Sequence, residues 1–204
     1  MSKIILDLCG GTGAWSKPYK DAGYDVQTIT LPDNDVRTYH PPEGVYGVLA
    51  APPCDQFSFV LNEKIKRDLK GGLEIVDACL RVIQECGSSL RFWALENPIG
   101  HLNRFLGTPA FVFQPWEFGD PWTKRTGIWG IFNRPQKTFA SWGDVTKNDA
   151  LYIRPGRGKP NMVWLHKSAK DLIPSFAPFS VETDAAFRAI TPQGFAQAFF
   201  EANR

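Results

Sequence analysis

The chain has 204 residues, 43% of them hydrophobic and 22% charged, which suffices for one well-buried domain and excludes a fibrous or disordered chain. Its formal net charge of +2 is a mild lean toward anionic partners, without the strong basic field of a dedicated nucleic-acid binder. No apolar run approaches membrane-spanning length. In chain order, Ile4-Ile5-Leu6-Asp7-Leu8 reads as a short buried strand that breaks into the turn Cys9-Gly10-Gly11-Thr12-Gly13. A short helix is expected over Trp15 to Ala22, closed by Gly23, then a strand from Val26 to Thr30. Val45 to Ala50 predicts a third strand, ending at Pro52-Pro53.

A polar, basic stretch follows, with Lys64, Lys66, Arg67 and Lys70. After Gly71-Gly72, the spacing of Leu73, Val76, Cys79, Leu80 and Ile83 predicts an amphipathic helix closed by Gly87. Phe92 to Leu95 is the next expected strand, ending in Glu96-Asn97-Pro98. A short helix over Leu102 to Leu106 comes next, then strands at Phe111 to Phe113 and Thr126 to Phe132. Residues 133–187 lose all periodicity, and short strands are expected only near Val145 and Met162-Val163-Trp164. A last helix is predicted to start at Thr191-Pro192, with Thr191 as cap and Pro192 in the first helical position.

Short aliphatic strands separated by helices argue for an α/β fold with a mostly parallel, doubly wound sheet. Ligands of such sheets bind at the carboxyl ends of strands. Gly11-Thr12-Gly13, Pro52-Pro53-Cys54 and Glu96-Asn97-Pro98 are all expected there. The organisation read from this is one catalytic domain of residues 1–132 plus 188–204, with residues 133–187 as a small irregular insertion. The cysteines (Cys9, Cys54, Cys79, Cys86) form no Cys-x-x-Cys pair, and the histidines (His40, His101, His166) are scattered, so no metal site is expected. Met1-Ser2-Lys3 runs straight into a strand pattern without a secretory core, so the expected compartment is the cytoplasm.

Glycines after the first strand let the backbone approach a ligand closely. The spacing is not that of a dinucleotide site, because position 16 is Ser. Two prolines before Cys54 give it a rigid mount, which suits a nucleophile that must meet an electrophilic carbon in one orientation. A lone free cysteine is more often a small buried apolar residue, and a lone Glu96 or Arg125 more often a solvated or paired charge.

Taken in order, these segments resemble a known family. Asp7-Leu8-Cys9-Gly10-Gly11-Thr12-Gly13 is similar to the cofactor loop of the DNA cytosine-C5 methyltransferases. Ala51-Pro52-Pro53-Cys54-Asp55-Gln56-Phe57-Ser58 is similar to their nucleophile motif, and Glu96-Asn97-Pro98 to their Glu-Asn-Val motif. Lys124-Arg125 resembles a shortened form of the arginine motif, and Arg188-Ala189-Ile190-Thr191-Pro192 the start of the late motif. The compact form resembles members carried by bacteriophages, whose compartment is the host cytoplasm.

The resemblance implies a Rossmann-like methyltransferase fold using S-adenosylmethionine, with a target cytosine flipped out of DNA. It implies Cys54 as nucleophile at C6, Glu96 as the acid at N3, and Arg125 as a fixed donor to the base or to Glu96. It assigns Asp7, Cys9, Gly11, Thr12, Gly13, Asp35, Val36 and Pro52 to the cofactor. Nucleic-acid contacts are expected from Ser58, Lys64, Lys66 and Arg67 in a mobile loop over Phe57 to Lys70, and from Arg154, Arg157 and Lys159 in the insertion, near Tyr152, Trp164, His166 and Lys167.

The chain departs from the family in several places. The second strand ends Thr28-Ile29-Thr30, without the ribose-binding acid, and Asp55 adds a negative charge after the nucleophile. The second arginine position is Gly127, and the insertion is too small for a full DNA-reading module. Two alternatives stay open: a non-catalytic binding module of the same fold that works with a protein partner, or the same chemistry on RNA or a free nucleotide.

Overall fold

The computed structural model describes residues 2–59 and 66–204, so Lys64 of the expected basic loop lies outside the described residues. One sheet contains β1 (Ile4–Leu8), β2 (Asp25–Ile29), β3 (Val45–Ala50), β4 (Phe92–Pro98), β5 (Phe111–Phe113) and β6 (Thr126–Ile131), in the order β2-β1-β3-β4-β6-β5. The first four strands run parallel, while β6 is antiparallel to both β4 and β5. The fold is therefore mixed α/β and Rossmann-like, with a mostly parallel sheet. From β1 the chain steps to β2 on one side and to β3 on the other, and that reversal opens a crevice beyond the strand ends.

Alternation along the strands sorts side chains onto two faces. Leu6, Leu8, Val48, Ala50 and Leu95 pack under α2 (Leu69–Glu85), against its Val76, Cys79, Val82 and Ile83. Ile5, Leu49, Phe92, Ala94 and Ile128 face the other way. They meet Tyr19 of α1 (Lys17–Asp21) and Phe195, Phe199 and Phe200 of the C-terminal helix. This second layer is largely aromatic: Phe113 stacks on Phe195 with centroids 3.8 Å apart, and Trp15 meets Phe199 edge-on at 5.4 Å. Aromatic contacts of this kind add about 0.5–1.5 kcal/mol each beyond burial. Asp7 and Glu96 share strand parity with Ile5 and Ala94, so both belong to the aromatic face.

Several expected boundaries shift for local reasons. The long helix begins at Leu69, before Gly71-Gly72, because Asp68 caps it by accepting from Gly71 N. Gly72 marks close packing instead: a Cβ there would lie 3.0 Å from Gln56 Cβ and from the Phe57 ring. The strand at Phe92 runs through Glu96-Asn97-Pro98, because β6 pairs with those residues after β3 has stopped pairing at Leu95. A short α3 (Asn103–Leu106) follows.

The strands expected near Val145 and residues 162–164 are single 3-10 turns, Trp142–Asp144 and Met162–Trp164. Ser141 and Asn161 each accept a bond from a backbone N–H two residues on, a local alternative to strand pairing. The insertion also has a core of its own: Leu151, Met162, Leu165, Ile173 and Phe176 cluster with Trp122 and Ala14 and with Phe187 of α4 (Asp184–Ala189). The last helix, α5 (Gln193–Ala202), starts one residue later than expected, with Pro192 rather than Thr191 at the cap position. Among the described residues no helix is long and apolar enough to cross a membrane, and no group of three or more His, Cys, Asp or Glu side chains could hold a metal.

Asp120 holds the start of α5, its Oδ2 accepting from Gly194 N at 3.1 Å. Burial raises its pKa to about 7, opposed by the Gly194 bond. A carboxyl raised on folding contributes stability that is complete below its unfolded value and is lost as pH rises through the folded one. Wild-type protein is therefore expected to lose stability between about pH 4 and pH 7 from this group, by an amount on the order of a few kcal/mol. Asp120→Asn keeps an acceptor for Gly194 and removes the charge. It should melt higher than wild type at about pH 8 and flatten the dependence of Tm on pH, as read by thermal denaturation across that range.

Candidate active site

Beyond the ends of β1, β3 and β4 lies a cavity of about 610 Å³. Asp7, Cys9, Gly10, Gly11, Thr12 and Trp15 line one side, and Ala51 to Cys54, Glu96 and Lys124 line another. Residues 178–183, with Ala186, Ala189 and Thr191, close it from the C-terminal part of the chain.

The turn after β1 is shaped by its glycines. Gly11 and Gly13 have φ of 53° and 69°, and among the described residues Cys9, at φ 56°, is the one residue other than glycine with positive φ. Nothing lies within 4 Å of a Cβ built on Gly11, so the backbone is bare on that side. Asp7 is fully buried; its Oδ2 accepts from Ser16 Oγ at 2.5 Å, and its Oδ1 has no partner among the described residues. Burial lifts its pKa to about 6, with the Ser16 bond pulling the other way. Trp15 also lines the cavity, and its buried Nε1 has no partner among the described residues. Cys9 is held below the usual thiol range by a hydrogen bond from Cys79.

Cys54 is mounted from both sides. Its own carbonyl accepts from Phe57 N at 3.0 Å and Ser58 N at 2.9 Å, which curls the chain after it into a turn. Ahead of it, the Pro52 carbonyl accepts from Asn97 Nδ2 at 3.0 Å, and Asn97 is fully buried. The turn is clamped again where His101 N donates to Phe57 O at 2.8 Å; a Cβ on Gly100 would lie 2.2 Å from that oxygen. Burial pushes the half-buried Cys54 thiol above the usual range; Lys124 draws it down, while Glu96 and Asp55 push it up.

Glu96 Oε1 lies 3.7 Å from Lys124 Nζ, with both side chains mostly shielded from water. Lys124 Nζ also donates to Arg188 O at 3.1 Å, and its backbone N donates to Gln114 Oε1 at 3.0 Å. A thiol, a carboxylate and an ammonium thus share one wall. Such a set can add a nucleophile to an electron-poor ring while a neighbouring ring nitrogen takes a proton or a strong hydrogen bond.

The structure brings Cys54, Glu96, Asp7, Cys9, Gly11, Thr12 and Pro52 together around this cavity, with Gly13 in the same turn. It does not bring Arg125 there. Arg125 is exposed and lines a second hollow with Arg154, Arg157 and Lys159, while Lys124 takes the place beside Glu96. Alternation could have shown this, since consecutive residues of an extended chain point to opposite sides. Asp35 and Val36 also lie outside the cavity lining. Asp35 is held by Arg37, which bonds both its oxygens, and Val36 is in the core under α2, its carbonyl accepting from Arg81 at 3.1 Å. Ser58 lies in the turn after Cys54, outside the lining. Arg67 turns inward to donate to Gln56 O at 3.0 Å, and Lys66 is exposed. The lining by residues 178–191 had no signal beyond the late-motif resemblance.

No protein-family model matches the chain, and no curated protein matches it. Among solved structures it is similar to the S. pombe Dnmt2 methyltransferase, at 15% identity and a TM-score of 0.46, covering 74% of this chain and 61% of that one. It is similar to a mutant Spodoptera frugiperda DNMT2 at 17% identity and 0.42, covering 78% and 57%. A third likeness is to the 23S rRNA methyltransferase ErmE, at 11% identity and 0.30, covering 100% and 92%. The chain spans about three-fifths of the length of the first two. At these values the likenesses say nothing about substrate or chemistry.

The charges around Cys54 predict opposite effects from two substitutions. Lys124→Met removes the group that draws the thiol down, so the pH profile of Cys54 alkylation by iodoacetamide should move to higher pH. Glu96→Gln removes a group that pushes it up, so its profile should move to lower pH. Modification at Cys54 is read by peptide mass spectrometry, and three coincident profiles would show that neither charge acts on the thiol.

Proposed function

We propose that the chain transfers a methyl group from S-adenosylmethionine to C5 of cytosine in DNA, through a bond between Cys54 Sγ and C6 of the base. One observation carries this: Cys54, Glu96 and Lys124 line the same cavity as a glycine turn and a buried carboxylate, Asp7, one of whose oxygens has no partner among the described residues. The turn fits the cofactor. Asp7 Oδ1 lacks a partner, which suits a ligand ammonium, and the bare backbone at Gly11 allows close approach. Asp7, Gly11, Thr12 and Trp15 would hold S-adenosylmethionine, which supplies an electrophilic methyl group when bound.

C5 of cytosine is a poor nucleophile, and the residues of this chain remedy that. Cys54 gives its proton to water and its thiolate adds to C6, forming the C–S bond. Glu96 holds a proton at N3, so that the ring's electron pair is drawn toward C5 as an enamine. Lys124 fixes Glu96 and draws the Cys54 thiol toward ionisation. Once C5 carries the methyl group, loss of its proton to a base expels Cys54 and restores the aromatic ring. A base inside a duplex stack cannot present C6 to a thiol, so the target is everted or unpaired.

A second reading has one observation in its favour: Asp35, which the resemblance assigns to the cofactor, is engaged by Arg37 and lies outside the cavity lining. In that reading the cavity binds without turning over. Trapping separates the two. Wild-type protein incubated with S-adenosylmethionine and DNA containing 5-fluorocytosine should give a covalent complex by intact-mass spectrometry, because fluorine blocks elimination. Cys54→Ala should give none, and Glu96→Gln should slow its formation by about 10²- to 10⁴-fold. Label transfer in competition among duplex DNA, tRNA and dCMP fixes the substrate. A Cys54→Ala variant that still forms the complex would sink the assignment.

A further inference from the structure

The insertion, Gln114 and the segment leading into β6 line a second hollow of about 490 Å³. Four cations line it, Arg125, Arg154, Arg157 and Lys159, with no carboxylate among the lining residues. None of the four is in an ion pair among the described residues, although the whole chain is only +2. Isolated cations gathered in one concavity focus a positive field there.

Aromatic faces accompany the cations. The Arg154 guanidinium lies 4.2 Å from the centre of the Trp164 ring, and Lys159 Nζ lies 4.9 Å from Trp116 and 5.3 Å from Trp142. Trp164 is 44% exposed and Tyr152 55%, a cost in water unless something covers them. The hollow is joined to the reaction cavity by the backbone. Thr123 N donates to Pro160 O at 2.9 Å, and Met162 N donates to Thr123 O at 3.0 Å, stitching the insertion to the residue before Lys124. Lys124 then lines one cavity and Arg125 the other.

We propose that this hollow binds single-stranded nucleic acid, its cations taking phosphates and Trp164 stacking on an unpaired base beside the target cytosine. The proposal deepens the reading of the chain as a nucleic-acid methyltransferase and rests on it for the choice of polymer. Stacking platforms interleaved with cations are how proteins hold unpaired strands, since every base offers a π-face. The elements that commonly read a duplex through its major groove are a helix or a strand pair. Between residues 133 and 187 the described residues contain no strand and no helix longer than six residues.

The test is fluorescence anisotropy without S-adenosylmethionine, using end-labelled single-stranded DNA, single-stranded RNA and blunt duplex DNA of one sequence, about 15 nucleotides long. Single strands should bind at least about tenfold more tightly than the duplex, and the DNA and RNA arms decide which polymer is preferred. Trp164→Ala should weaken single-strand binding at least about fivefold, with Trp164→Tyr recovering most of it. The double variant Arg154→Ala, Arg157→Ala should reduce the salt slope of log affinity by about 1.4. Tight duplex binding, or single-strand binding unchanged in both the Trp164→Ala and double-arginine variants, overturns the proposal. Strand binding without trapping on fluorinated DNA would fail the methyl-transfer reading alone, while trapping with duplex preference would fail this inference alone.

Discussion

The arrangement of chemical groups depends on one hydrogen bond, from Asn97 Nδ2 to the Pro52 carbonyl. Pro52 follows β3 and Asn97 lies near the end of β4. The bond therefore continues the register of two parallel strands past Ala50 and Leu95, where their ladder stops. Proline has no N–H, so two consecutive prolines cannot extend a ladder themselves, and the first carbonyl needs a donor from elsewhere. A buried amide supplies it. Cys54, two residues beyond Pro52, and Glu96, one residue before Asn97, are fixed to each other through that link. The Asn97 Oδ1 has no partner of its own, a cost that the fold carries to keep the donor in place.

Burial sets the electrostatics around it. Asp7, Asp120 and Cys54 are each moved toward their neutral forms by removal from water. For Asp120 the consequence is structural, at the start of α5. Asp7 is a different case, because one of its oxygens is satisfied by Ser16 and the other meets nothing. Cys54 stands between a cation and two carboxylates, so its ionisation is a balance of local charges and not a property of the loop alone.

The strands and the long helix were legible because their apolar periods are strong: β1, β3 and β5 lie where the aliphatic and aromatic runs place them. Cap positions were less so. Gly71-Gly72 looked like a helix boundary, yet their small size serves packing against Gln56 and Phe57, which no local pattern reveals. Around the cavity, motif order placed Asp7, Cys54 and Glu96 together. It misplaced the cation, because Lys124 and Arg125 are chemically alike and only the direction of the backbone separates them. Asp35 illustrates a different limit: the resemblance assigned it to the cofactor, and Arg37 two residues away engages it. The insertion lacked period because its core is assembled from isolated residues, such as Leu151, Leu165 and Phe176, brought together by turns.

The shared peptide between Lys124 and Arg125 has a mechanical meaning. Their Cα atoms are held about 3.8 Å apart whatever else moves. The two hollows are therefore not independent compartments. A displacement of residues 160–162 acts on Thr123 through their paired backbone bonds, and Thr123 is the neighbour of Lys124. The paired bonds at Thr123 and the peptide it shares with Lys124 thus tie the backbone of the insertion to the ammonium beside Glu96.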